Sequence, residues 1–141
     1  AREFFRPYDG HIDAHVEAGR WLGGNSAPGE PVLDRKPYIA FYANRPYVFI
    51  PQAPYDSLIA WAVRTRVRWL VVDQGEAAVF RRQLEPLLYD DTFREREVRL
   101  ELVYVGGRVK GYGVGLFRVL QPGESRSGRP PALEARWLGR P

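Results

Sequence analysis

This chain of 141 residues contains no cysteine. A disulfide, a zinc–cysteine site and a thiol nucleophile are therefore excluded, while the compartment stays open. No apolar run approaches the roughly 18 residues that span a bilayer. Ala1–Pro7 is charged and aromatic and lacks the apolar centre of a signal peptide. The chain does not open on Met, and it is expected to be a piece of a longer protein. Serines are few. Ser26, Ser57, Ser125 and Ser127 fall at caps or in linker-like sequence, and no G-x-S-x-G elbow frames any of them. Ser–His–Asp catalysis thus has support from composition alone. There is no internal repeat and no low-complexity tract.

What is present is the composition of one folded domain with a single core, at 45% hydrophobic and 27% charged residues. The net charge is +4 and the pI about 9.6, with Arg the main cation. That favours loose attraction to the phosphates of lipid, nucleic acid or nucleotide without selecting among them.

The stretch Val67–Asp73 (V-R-W-L-V-V-D) is short, apolar and β-branched, and predicts a strand buried on both faces. Around it the chain reads in order. Ala1–Gly10 is an irregular lead-in whose Phe4, Phe5 and Tyr8 are expected to dock on something, and in a longer parent it is a candidate for membrane-adjacent sequence. Ile12–Leu22 predicts a helix with Ile12, Val16, Trp21 and Leu22 on its apolar face and Ala14 and Ala18 beside it. Pro31–Asp34 predicts a strand, Lys36–Asn44 a short helix, and Tyr47–Ile50 a second strand. Asp56 is expected to cap a helix over Ser57–Arg66. After the central strand, Glu76–Tyr89 predicts a helix interrupted at Pro86, and Asp90–Glu97 a charged loop. Val98–Val105 alternates, with Val98, Leu100, Leu102 and Tyr104 on one side. Gly106-Gly107 then joins it to Val109–Leu120, a hairpin signal. Gln121–Pro130 reads as a linker and Pro131–Leu138 as a two-turn helix.

These elements predict an α/β fold, a three-layer α/β/α sandwich. Its Rossmann-like, mostly parallel sheet of about five strands ends in an antiparallel hairpin. The expected strand order is 2-1-3-4-5, with ligands favouring the carboxyl ends of the parallel strands near the switch in that order. Residues 1–11 form the lead-in, 12–120 a single domain, and 121–141 a flexible tail with a short helix.

Several residue sets carry chemistry in principle. G-Y-G-V-G at Gly111–Gly115 lacks the following helix that a phosphate loop requires, so the glycines are expected to mark a bulge or a close backbone approach. His11 and His15 have zincin spacing, but Ile12 stands where that helix needs Glu, and a solvated helix start explains them better than a metal site with Asp9, Asp13 or Glu17. Arg64, Arg66 and Arg68 with Trp61 and Trp69 offer cations and stacking surfaces to a nucleic acid. Helix-end and strand positions account for them more simply. Asp34 and Asp73 both end predicted parallel strands. They are candidates for a metal or an acid–base pair, and also for capping or ion pairing. The set around the short helix is the richest: Arg35, Lys36, Tyr38, Tyr42 and Arg45 combine forks for phosphate or carboxylate with rings for sugar or isoprenoid faces. Core packing of the two tyrosines is the competing reading. The candidate binding residues are Arg35, Tyr38, Tyr42, Arg45 and Asp73.

The succession Glu17–Pro51, E-A-G-R-W-L-G-G-N-S-A-P-G-E-P-V-L-D-R-K-P-Y-I-A-F-Y-A-N-R-P-Y-V-F-I-P, followed by R-V-R-W-L-V-V-D at Arg66–Asp73, resembles a known pattern. It is similar to the soluble C-terminal domain of bacterial multipass glycosyltransferases, the dolichyl-phosphate-mannose-protein mannosyltransferase-like and aminoarabinose transferase-like proteins. Trp21, Leu22, Gly29, Val32, Pro37, Ala40, Phe41, Tyr42, Arg45, Pro46 and Pro51 match, over roughly Ala14–Leu120. The resemblance implies an accessory domain on the extracytoplasmic (periplasmic) face of the membrane. Its parent would transfer a sugar from a polyprenyl-phosphate donor to a protein, lipid or glycan acceptor. It further implies that the catalytic acids lie in the transmembrane part, that no catalytic residue carries over to this stretch, and that the stretch is inactive alone; separately, no metal and no cofactor are expected. The implied partners are that transmembrane portion and a lipid-linked sugar donor or acceptor, with no nucleic acid. The residues alone leave open a free-standing α/β module for a nucleotide or anionic sugar, and a hydrolase using Asp34 and Asp73.

Overall fold

The computed structural model describes residues 10–107 and 111–133. Its centre is β3 (Trp69–Asp73), buried at every residue, as a β-branched run between two helical layers should be. On one side β3 pairs in parallel with β1 (Val32–Asp34), which pairs in parallel with the edge strand β2 (Tyr47–Phe49). On the other side β3 pairs antiparallel with β5 (Val114–Val119), which pairs antiparallel with β4 (Leu100–Gly106). A two-residue strand β6 (Ala132–Leu133) adds in parallel to β4. The six-stranded order is β2-β1-β3-β5-β4-β6, and β5 alone runs against the rest.

Helices cover both faces. α1 (Gly10–Gly24) and α2 (Tyr38–Ala43) lie over one, where Ala18, Leu22, Ile39 and Ala40 meet Val32, Trp69, Val71 and Leu116. α3 (Tyr55–Arg64), α4 (Gln74–Phe80) and α5 (Glu85–Tyr89) supply Leu58, Ile59, Ala77, Leu87 and Leu88 to the other, against Leu33, Leu70, Val72 and Phe117. The predicted three-layer α/β sandwich with a closing antiparallel hairpin is the observed fold.

Several details differ from expectation. The hairpin strands enter in reverse order, with β5 inside and β4 outside. β5 is apolar on both sides and nearly all buried, whereas β4 carries Glu101 and half-buried Leu102 and Val103. The more apolar strand takes the two-sided position. The alternation of β4 breaks between Leu102 and Tyr104, where a bulge shifts the register against Phe117 and Leu116. Leu102 faces the α3 layer and Tyr104 the α1 layer, while Val98 stays outside the strand and exposed.

Helix boundaries moved for local reasons. α3 starts behind Pro54, so Asp56 sits in its first turn and binds Arg99 at 3.1 Å instead of capping. The helix expected to break at Pro86 breaks a turn earlier, at Arg81, and resumes through a 3-10 turn at Arg82–Leu84. In a continuous helix Pro86 would collide with the carbonyl four residues back, whereas at the start of α5 it fits. The expected charged loop holds a helix, α6 (Asp91–Arg96), because the Asp90 carboxylate accepts the Phe93 N–H at 3.0 Å. Past β5, Ser127 donates twice to the buried Glu101 carboxylate and Arg126 donates to the carbonyls of Arg94, Glu97 and Leu100. Where a helix was expected from Pro131, Ala132 and Leu133 form β6; residues 134–138 of that span lie outside the described residues, as does most of the expected lead-in.

The buried stripe of α1 is Ala14, His15, Ala18, Gly19 and Leu22, rotated from the expected Ile12–Val16 face. Small residues let α2 approach closely: a Cβ on Gly19 would lie 2.6 Å from the Tyr42 Cβ and 3.0 Å from the Ile39 carbonyl. Gly19→Ala therefore sets a helix-propensity gain of about 1 kcal/mol against an overpacking cost of about 1–3 kcal/mol. A net loss of stability is expected in urea denaturation, and a gain would show that the helices do not sit this close.

Candidate functional site

The strand order reverses between β1 and β3, because the chain leaves β1 towards β2 on one side and returns to β3 on the other. A wound sheet opens its ligand crevice at the carboxyl ends of such strands. Here those ends are Asp34 and Asp73, both buried.

Asp73 Oδ1 accepts the Glu76 N–H at 2.8 Å and so caps α4. Its Oδ2 lies 2.7 Å from His15 Nε2, with both side chains 1% exposed. A ring nitrogen facing a carboxylate at this distance donates its proton. Asp34 Oδ1 accepts the Arg35 N–H at 2.7 Å, and Oδ2 has no hydrogen-bond partner among the described residues. Burial pushes the Asp34 carboxyl well above the usual carboxylate range. The backbone donors of Lys36 and Arg35 pull it down less than burial lifts it, and the nearby Asp73 and Glu76 charges raise it further.

The mouth of the crevice is occupied by the chain itself. Glu76 takes Arg35 Nη1 at 2.8 Å on one oxygen and Lys36 Nζ at 3.0 Å on the other. The Arg35 guanidinium also lies 3.5 Å over the Phe80 ring. Arg81 reaches in from the end of α4 to donate to the Ile50 carbonyl at 2.9 Å. What remains between Asp34, Asp73, Arg35, Glu76 and Arg81 is about 10 Å³, the scale of one water molecule. This arrangement can store a proton on Asp34 and hold a water; a sugar or nucleotide needs side chains to move first.

Of the expected binding residues, the structure brings Arg35, Tyr38 and Asp73 to this rim. Tyr38 meets the His15 ring edge-on at 5.9 Å. Tyr42 lies a turn further along α2, half exposed and edge-on to Phe41 at 5.2 Å. Arg45 is at the opposite end of the sheet. Its guanidinium donates to Ser26 Oγ and to the carbonyls of Gly23, Ser26, Ala43 and Asn44, tying the ends of α1 and α2 together. That is a structural use of every edge of the fork.

The sequence reading missed His15 as the partner of Asp73, and Glu76 as the clasp. A signal existed for the first: Ala14, Ala18 and Leu22 at i, i+4 and i+8 place His15 on the rim of a buried stripe. The side chain of His11 lies outside the described residues, and among those described no group of three or more His, Asp or Glu is set to hold a metal. The glycines of Gly111–Gly115 mark close backbone approach, as expected. Gly111 and Gly113 donate to Gln74 Oε1 at 2.9 and 3.0 Å, and a Cβ on Gly107 would lie 2.6 Å from the Gly113 Cα. Of the residues considered for nucleic acid, Trp69 is core and Arg68 is bound to Glu30 and Glu124.

Larger clefts lie away from the switch point. One of about 530 Å³ runs between α6 and residues 126–131, and another of about 520 Å³ lies beside Tyr55 and Glu97. Several of their charged groups are engaged with the chain, among them Glu97, Arg99, Glu101 and Arg126. Burial raises the Glu97 carboxyl, but the Arg99 and Tyr55 donors more than offset it and hold it below its ordinary range.

Comparison with family models, characterised proteins and solved structures yielded no match for this chain. Fold and rim together define a three-layer α/β domain whose switch point is closed by its own side chains.

Two measurements probe this geometry. Because the folded Asp34 binds its proton more tightly than the unfolded chain does, its contribution to stability is full below the unfolded pKa and is lost as pH rises towards the folded one. Asp34→Asn is expected to raise stability at pH 7, with the gain shrinking as pH falls towards 4; an equal effect at both would refute the buried neutral acid. Arg45→Ala is expected to cost about 2 kcal/mol or more, read by chemical denaturation.

Proposed function

We propose that this chain is an accessory extracytoplasmic domain of a membrane glycosyltransferase that moves a sugar from a polyprenyl-phosphate donor to a protein, lipid or glycan acceptor. The observation that favours it is the closed switch point. Where a wound sheet of this kind would take a nucleotide, Arg35 and Lys36 are clasped by Glu76, Arg81 is bound to the Ile50 carbonyl, His15 is bound to Asp73, and little space remains. An accessory role needs no open site, whereas a nucleotide module does.

The segment likeness supports the same reading. Leu22, Val32 and Ala40 of that pattern are core, and Arg45 ties two helix ends, so much of it describes architecture. Phe41 and Tyr42 do not serve the core and stand exposed. No helix among the described residues is long and apolar enough to cross a membrane, so any membrane-spanning part of the parent belongs to other residues.

The reading frame upstream of Ala1 tests the proposal. Several apolar segments of about 20 residues are expected in frame, and a frame that opens without them overturns it. Titrating the ¹⁵N-labelled chain with nucleotides and nucleotide sugars is expected to leave the resonances of Arg35, Tyr42 and Asp73 in place. Shifts clustered there would favour the free-standing binding module.

A further inference from the structure

We propose that the corner of the molecule formed by α2, the edge strand β2 and the end of α4 docks on the surface of an anionic phospholipid bilayer. This rests on the accessory-domain reading and deepens it by naming which face of the domain meets the membrane and what it meets there.

The corner carries a concentration of exposed rings. Phe41 is 75% and Phe49 58% exposed, and Tyr38, Tyr42, Tyr47 and Phe80 are each about two-fifths exposed. Scattered single apolar residues are ordinary on a surface, but a contiguous group marks a contact. Contacts connect this one. The Tyr47 hydroxyl donates to the Arg35 carbonyl, Arg35 covers Phe80, Arg81 lies 5.9 Å over Phe49, and Lys36 lies 6.0 Å from the Tyr38 ring. Tyr47 and Phe49 share one face of β2, because Val48 between them turns to the α3 layer.

Three features argue for a lipid surface over a second copy of the chain or a soluble partner. First, rings with an apolar body and a polar tip, mixed with Arg and Lys, suit the headgroup layer. Second, the local charge is positive. Arg35, Lys36 and the buried Arg81 outnumber the carboxylates of Glu76 and Asp73, Asp34 is held towards its neutral form, and Arg81 donates only to the neutral carbonyls of Phe80 and Ile50. Each such cation near an anionic surface favours binding. Third, the chain enters the fold at this rim. α1 meets Asp73 through His15 and meets Arg45, at the far end, through Gly23. Its first turn therefore projects about 7 Å past His15 on the rim side. A second copy pairing along β2 is disfavoured by an edge only three residues long with Pro46 and Pro51 at its flanks.

The test uses the 141-residue chain and vesicles of phosphatidylcholine, with and without phosphatidylglycerol. Cosedimentation is expected with the mixed vesicles and weaker with phosphatidylcholine alone. Phe41→Ser with Phe49→Ser is expected to weaken binding by roughly tenfold or more, with circular dichroism unchanged because both rings are outside the core. The absence of native cysteine allows a second readout independent of that variant. A polarity-sensitive fluorophore on Phe41→Cys should shift to the blue on adding vesicles, and one on Val98→Cys, 73% exposed beside β4, should not. No sedimentation with either vesicle, equal shifts at the two labels, or self-association without vesicle binding each overturns the proposal. Vesicle binding by a chain whose reading frame lacks multipass segments would sustain this surface and sink the accessory-domain reading; multipass segments without vesicle binding would do the reverse.

Discussion

A hydrogen bond between residues 58 apart in the chain, His15 to Asp73, holds the first helix against the end of the central strand. Apolar contacts from Ala18 and Leu22 bury α1, but such contacts are non-directional and tolerate sliding. A buried ring nitrogen and carboxylate at 2.7 Å do not, because either group left alone would lose its partner in a dry site. With α1 placed, Gly19 sets how closely α2 packs and Arg45 ties the opposite ends of both helices. That packing then closes one wall of the switch point and leaves the outer face of α2 turned to the exterior.

The switch point shows how a common scaffold can be closed. Asp34 and Asp73 sit where a wound sheet places ligand-binding groups, yet each is drawn into the fold. Asp73 caps a helix and accepts from a buried histidine. Asp34 is desolvated beside two other acids and is driven towards its neutral form. Two cations of a type that binds phosphate are shared by Glu76. Retaining a buried acid in this state costs stability at neutral pH, a penalty that apolar residues in its place would not incur. The exposed chemistry of the domain lies just outside, in the rings of α2, β2 and α4.

Much of the architecture was legible because it rests on local pattern. The run at Val67–Asp73 could be placed at the centre from its unbroken apolar character, and the glycine pairs around residues 106–115 from their need for close backbone approach. Details that depended on competition between neighbours were less legible. The inward position of β5 was present in the sequence as an apolar run without alternation, beside a β4 that carries Glu101 and follows Arg99. Asp90 was a visible cap for α6, obscured by the density of charge after it. The bulge at Leu102–Tyr104 left no clear local mark; past it, Tyr104 lies against Trp21 on the α1 side.

The candidate site divides the same way. Asp34, Asp73 and Arg35 could be assigned to strand ends from the sequence, since a strand followed by a helix start leaves few alternatives. That Arg45 belongs to the far end, that His15 reaches Asp73, and that Glu76 clasps both neighbouring cations depended on how α1 lies across the sheet. The sequence alone determined the layers, the central strand and the class of fold, because hydrophobic periodicity and turn residues act over a few neighbours. Only the tertiary structure decided that the crevice is filled and the aromatic corner open, because both follow from partners tens of residues apart whose pairing no local pattern encodes.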